Sequence, residues 1–183
     1  MKTVSSIKEL TVCGGFGAMA AFAGLALNLP GIMITGVPLT GIFPVAALFL
    51  ALIALIIRKF GAVTIAAGVY SSIAIPTVLF GPPGVYKLFL GIILGLLFDS
   101  LLMAFRYSRT GYYVAASVSY AAVVPATYLA LLLLGFPAAE RLARFVPYLM
   151  IWYVIAVIAT VWLTMLIYEK KLKKLKVVRQ LQE

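Results

Sequence analysis

The sequence predicts an all-α integral membrane protein of six transmembrane helices, N-in/C-in, with an outward-facing pocket covered by the first loop. Three observations carry this expectation. The 183 residues are 64% hydrophobic and only 11% charged, with mean hydropathy +1.14. Backbone exposed to lipid has to satisfy its own hydrogen bonds, and here the apolar runs are continuous where a barrel would alternate apolar with polar residues. The length suits about six runs of roughly 20 residues with short connections, leaving no room for a soluble domain.

Charge distribution supports the count of six. Six spans place Lys2, Lys8, Arg58, Lys59, Arg106, Arg109 and the tail cations Lys170, Lys171, Lys173, Lys174, Lys176 and Arg179 on one side. Lys87, Arg141 and Arg144 fall on the other. The positive-inside rule makes the first side cytoplasmic, in the cell membrane. One span more or fewer would spoil the segregation. A net charge of +10 does not point to nucleic acid, because the cations sit at the ends of apolar runs and in the tail. With no histidine, one cysteine and five scattered carboxylates, neither a His/Cys metal centre nor a Ser-His-Asp triad can be built. Neither a cofactor site nor an enzyme is expected.

The spans are predicted at about 10–28, 43–57, 60–79, 86–105, 112–134 and 145–168. The first is rich in small residues, and the pairs Gly14/Ala18, Gly17/Ala21 and Ala20/Gly24 each lie four apart. Such faces permit close helix approach, whether to a partner protein or within the chain. A cleaved signal peptide ending near Ala21-Phe22-Ala23 is the competing reading of this region. Leu29–Phe43, LPGIMITGVPLTGIF, contains Pro30, Pro38 and three glycines but no charge. It is expected to leave the helix and fold as an apolar lid, with Thr35 and Thr40 offering hydroxyls; the alternative is a short extended connection.

The second span ends at Arg58-Lys59. The third carries Tyr70, Ser71 and Ser72, of which at least one should face the interior, and ends in Gly81-Pro82-Pro83-Gly84. In the fourth, Lys87, Gly91, Gly95 and Asp99 form one stripe at intervals of four. Asp99, well inside an apolar run, is expected to pair with Arg106, more as a structural pair than as a ligand site. The fifth holds Ser117, Ser119, Tyr120, Pro125, Thr127 and Tyr128. The sixth opens with Tyr148, Trp152 and Tyr153, where Trp152 reads equally as interfacial belt or pocket wall, and closes on the belt residues Trp162 and Tyr168. Beyond the membrane domain 1–168, the tail 169–183 has Leu172, Leu175 and Val178 spaced by threes among its lysines. It is expected to lie as an amphipathic helix on anionic lipid.

Asn28, Lys87, Arg144, Tyr148 and Trp152 thus gather at the outer surface beneath the lid, with Tyr70 and Ser71 deeper. This arrangement fits capture of a small solute from outside. No nucleotide motif and no relay of deep carboxylates supplies an engine.

Taken together, GGFGAMAAFAGLALN in the first span, GIMITGVPLTGIF leading into PVAALFLALIAL, and a last span running into YEKKLKKLK make the chain resemble the substrate-capture (S) components of energy-coupling factor transporters. The resemblance extends over nearly the whole chain. It implies a six-helix fold with an outward pocket under the first loop, taking a vitamin, cofactor precursor or similar heterocycle. It further implies a transmembrane T component and two cytosolic ATPases as partners. In that family an Ala-x-x-x-Ala pattern on the first helix meets the T component. The spacing is kept here by Gly14, Gly17, Ala18, Ala20, Ala21 and Gly24, with glycines at several places. Two other classes compete: a membrane scaffold or assembly subunit without ligand, and a lipid-modifying membrane enzyme using Asp99 with Arg106 or Arg109.

Overall fold

Six α-helices account for most of the described residues, among which no strand occurs. The computed structural model describes residues 3–35, 44–77, 79, 81–136, 140, 143–175 and 178; for 29–35 only the backbone path is described. The helices are α1 (Ile7–Thr35), α2 (Val45–Ile57), α3 (Ala62–Ala74), α4 (Tyr86–Ala104), α5 (Arg109–Leu133) and α6 (Val146–Ile167). A 3₁₀ turn, Ala143–Phe145, leads into α6, and a π-helical turn, Tyr168–Leu172, extends it.

Four of these, α1, α4, α5 and α6, are long and apolar enough to cross a membrane. The chain is therefore a multi-pass membrane protein. The other two are 13 residues each, about 20 Å at 1.5 Å per residue and short of a hydrocarbon core about 30 Å thick. Helix α2 is buried along most of its length, including Leu50, Ile53, Leu55, Ile56 and Ile57. It packs on α1 and α6, while α3 lies between α1 and α4, and α5 between α4 and α6.

Contacts bring the basic chain segments to one end of the bundle. The Arg58 guanidinium donates to the Tyr107 carbonyl at 3.3 Å, joining the α2–α3 and α4–α5 turns. Lys59 forms an ion pair of 2.5 Å with Glu9 at the start of α1, and Val4 N–H donates to the Phe60 carbonyl. Lys87 and Arg144 belong to the opposite end. Burial pushes the Tyr107 phenol, in the turn after α4, up to about 12.

Three expectations need correction here. Leu29–Thr35 does not leave the helix: it forms the last turns of α1, through Pro30. Proline removes one backbone bond and strains the preceding turn, but apolar surroundings offer the neighbouring groups no partner outside the helix, so the helix continues. The rest of the expected lid, with Thr40, lies outside the described residues. Tyr168, expected in an interfacial belt, is buried. Val178 of the tail is buried in the core cluster, so this part of the tail meets the bundle instead of lying free on a lipid surface.

Candidate functional site

Polar residues inside the bundle fall into two sets, and the first is consumed by architecture. Helix α3 starts at Gly61, whose φ of 94° is costly for any residue with a Cβ, and no side chain of its own caps it. The cap comes from α4. Asp99 accepts from the backbone N–H of Gly61 (3.1 Å), Val63 (3.3 Å) and Thr64 (2.9 Å), and from the Thr64 hydroxyl (2.7 Å). At the other end of α3, the Lys87 ammonium donates to the carbonyls of Ala74 (3.1 Å) and Thr77 (2.5 Å). Both side chains are buried.

The electrostatics explain the placement. A cation in the first turn of α4 and an anion near its end both oppose the dipole of α4 itself. Against the antiparallel α3 both signs are right, since the anion meets an N-terminus and the cation a C-terminus. Between the two charges, glycines let the helices touch. A Cβ on Gly91 would collide with the Ser71 side chain, and one on Gly95 with the Thr64 backbone. The stripe Lys87-Gly91-Gly95-Asp99 is thus a splint for α3.

Asp99 does not pair with Arg106, contrary to expectation. Arg106 is exposed in the α4–α5 turn at φ 50°, past the end of the helix, so the angular match of the two positions along a continuous helix no longer holds. Lys87, expected as a solute contact, is committed to α3.

The small face of α1 also has a structural occupant. Gly17, Ala20, Ala21 and Gly24 are buried within the chain, and a Cβ on Gly17 would strike the Ala66 carbonyl of α3. Gly14 and Ala18 are half-buried, and a Cβ on Gly14 would meet open space. Four of the six expected docking residues therefore pack internally.

The second set is a layer of hydroxyls in the middle of the bundle. Tyr70 on α3, Tyr120 on α5 and Tyr153 on α6 lie near one another. Tyr120 lies about 17 Å along α5 from the basic end at 1.5 Å per residue. It is 2% exposed, and its hydroxyl has no hydrogen-bond partner among the described residues. The same holds for its neighbour Ser119 and for Ser71, both fully buried.

Other hydroxyls of these helices behave differently. Those of Thr11, Ser72, Thr127, Thr160 and Thr164 donate to the carbonyl four residues earlier in their own helix. Tyr112, two turns before Tyr120 on the same buried stripe and 1% exposed, donates to the Ala54 carbonyl at 3.3 Å. No such carbonyl lies opposite Tyr120 among the described residues.

Of the expected solute contacts, Tyr70, Ser71 and Asn28 are buried in the bundle. Tyr148 is 73% exposed, Trp152 46% exposed, and Arg144 is exposed too, so these three do not join the interior layer. Of Thr35 only the backbone is described. Tyr120, Ser119 and Tyr153 were not among the expected contacts. Their signal was present, since Tyr112, Tyr120 and Ser119 repeat on one face of α5, but that spacing does not tell a partnered phenol from an unpartnered one. Among the described residues no group of His, Cys, Asp or Glu can hold a metal ion. Comparison with family models, curated proteins and solved structures finds no match for this chain.

Proposed function

We propose that this chain captures a small solute in the cell membrane and hands it to partner subunits for ATP-driven uptake, as an S component of an energy-coupling factor transporter does. The observation that carries the reading is the hydroxyl of Tyr120, buried mid-bundle beside Tyr70 and Tyr153 without a protein partner among the described residues. Leaving such a group unsatisfied costs about 1–3 kcal/mol, which a bound solute would recover. The basic end faces the cytoplasm, as the charge segregation favours. The T component and ATPases enter through the resemblance of the sequence alone. A vitamin, cofactor precursor or similar heterocycle is the cargo.

A ligand-free scaffold is the second reading. It is favoured by the tight contacts of Gly17, Gly91 and Gly95, which are those of a bundle built for packing. The lipid-modifying enzyme loses the observation that motivated it, because Asp99 is engaged at the α3 N-terminus. Mass spectrometry of the chain purified from its own membrane tests the proposal. A small molecule retained in near-stoichiometric amount and released on unfolding is expected. A chain carrying none, and sustained uptake in liposomes driven by an ion gradient alone, would each count against it, the first for the scaffold and the second for a self-sufficient carrier.

A further inference from the structure

The ionisable groups around the hydroxyl layer restrict what can enter it. Among the described residues, the ionisable groups near the Tyr120 phenol are those of Tyr70 and Tyr153, both uncharged at neutral pH. No formal charge lies among those described groups. Lys87 is bound to Ala74 and Thr77, and Asp99 to the start of α3. Arg144 is exposed, and Arg58, Arg106 and Arg109 belong to the basic end. An ion placed beside Tyr120 would lose its hydration without gaining a counter-charge, at a cost of several kcal/mol.

We infer that the layer of Tyr70, Tyr120 and Tyr153, with Ser119 beside it, binds an uncharged planar solute that hydrogen-bonds through a carbonyl, amide or ring nitrogen, and that water enters the layer in the solute's absence. A phenol hydroxyl both donates and accepts, so it serves a neutral amide as well as a water molecule. Three aromatic rings from three helices offer faces and edges against which a flat ring packs. An anionic cargo, which cations at the outer end would otherwise suggest, does not fit this layer. The inference rests on the capture reading for its cargo, but its test requires no uptake.

Hydroxyl-radical footprinting of the full chain in lipid nanodiscs supplies that test, because buried tyrosines are modified where water reaches them. Tyr112 is the internal control, equally buried but bonded to a carbonyl, and exposed Tyr148 reports radical scavenging. Tyr120 is expected to react several-fold faster than Tyr112. Benzamide should slow Tyr120 selectively, whereas benzoate, its anionic counterpart of nearly the same size, should not at equal concentration. In Tyr120→Phe, protection of Tyr153 by benzamide should need about tenfold more fragment, the loss expected for one hydrogen bond. Tyr120 as inert as Tyr112, protection by benzoate as good as by benzamide, protection by neither, or an unchanged benzamide requirement in Tyr120→Phe would each overturn the inference. Failure to transport with partner subunits would strike the capture reading and leave these readouts untouched.

Discussion

The α3–α4 contact and the layer shared by α3, α5 and α6 use polar side chains in opposite ways. At the first, two ionisable groups are buried, and apart from the Thr64 hydroxyl that donates to Asp99 their bonds end on backbone at the two ends of α3. In the second, the buried groups are hydroxyls, and those of Ser119 and Tyr120 end on nothing within the described protein. Neutral hydroxyls can be left open at a cost of about 1–3 kcal/mol each, whereas an uncompensated charge costs far more. Charges in this bundle therefore hold the fold together, and the openings are hydroxylic.

Breaking the cap at α3 should have the largest effect. Asp99→Ala leaves the N–H groups of Gly61, Val63 and Thr64 without their acceptor and should cost about 3–5 kcal/mol, since each buried orphan costs about 1–3 kcal/mol. Thermal unfolding in nanodiscs measures it, and Asp99→Asn, which keeps an acceptor oxygen, should recover part of the loss. Little destabilisation in Asp99→Ala would mean that water replaces the carboxylate there, and that the end of α3 is wet.

Lys87→Met keeps the length of the side chain and removes the donor to Ala74 and Thr77. A loss of about 1.5–3 kcal/mol is expected, the usual value for a hydrogen bond to a charged group. Retained stability together with a lost preference for an anionic ligand would reverse the assignment and return Lys87 to a solute site.

A smaller effect separates the two glycine environments. Gly95→Ala forces a Cβ into the Thr64 backbone and should cost about 1–3 kcal/mol, the range for overpacking. Gly14→Ala meets open space and should be neutral or stabilising by up to about 1 kcal/mol through helix propensity. Were Gly14→Ala instead to abolish uptake in the presence of partner subunits with folding intact, the exposed end of the α1 small face would be a docking surface.

Tyr120→Phe should change the stability of the ligand-free chain least, by within about 1 kcal/mol of zero, because the hydroxyl it deletes makes no hydrogen bond to any described residue. A loss near that of Lys87→Met would show that the phenol has a structural partner. The contrast between the two regions would then collapse into a single rule of structural pairing.

By itself the sequence determined what depends on local composition and period. Continuous hydropathy required a helical membrane protein, and Tyr86–Ala104 lies close to the expected 86–105, whereas α1 runs on to Thr35 and α3 is the shorter Ala62–Ala74. The four-residue stripe from Lys87 to Asp99 was legible as one face of one helix. Only the tertiary structure decided what that face meets. Asp99 looked along its own chain to Arg106, whereas its acceptor capacity goes to an antiparallel helix some 35 positions away in sequence. Pro30 read as a helix stop because proline statistics come largely from water, where a broken turn can be rehydrated. The α1 small residues permitted close approach, and which helix approaches is a property of the assembled bundle. Tyr112 and Tyr120 share a helix stripe and a residue type. Among the described residues one has a carbonyl opposite it and the other does not, and that difference exists only once α2 and α5 lie side by side.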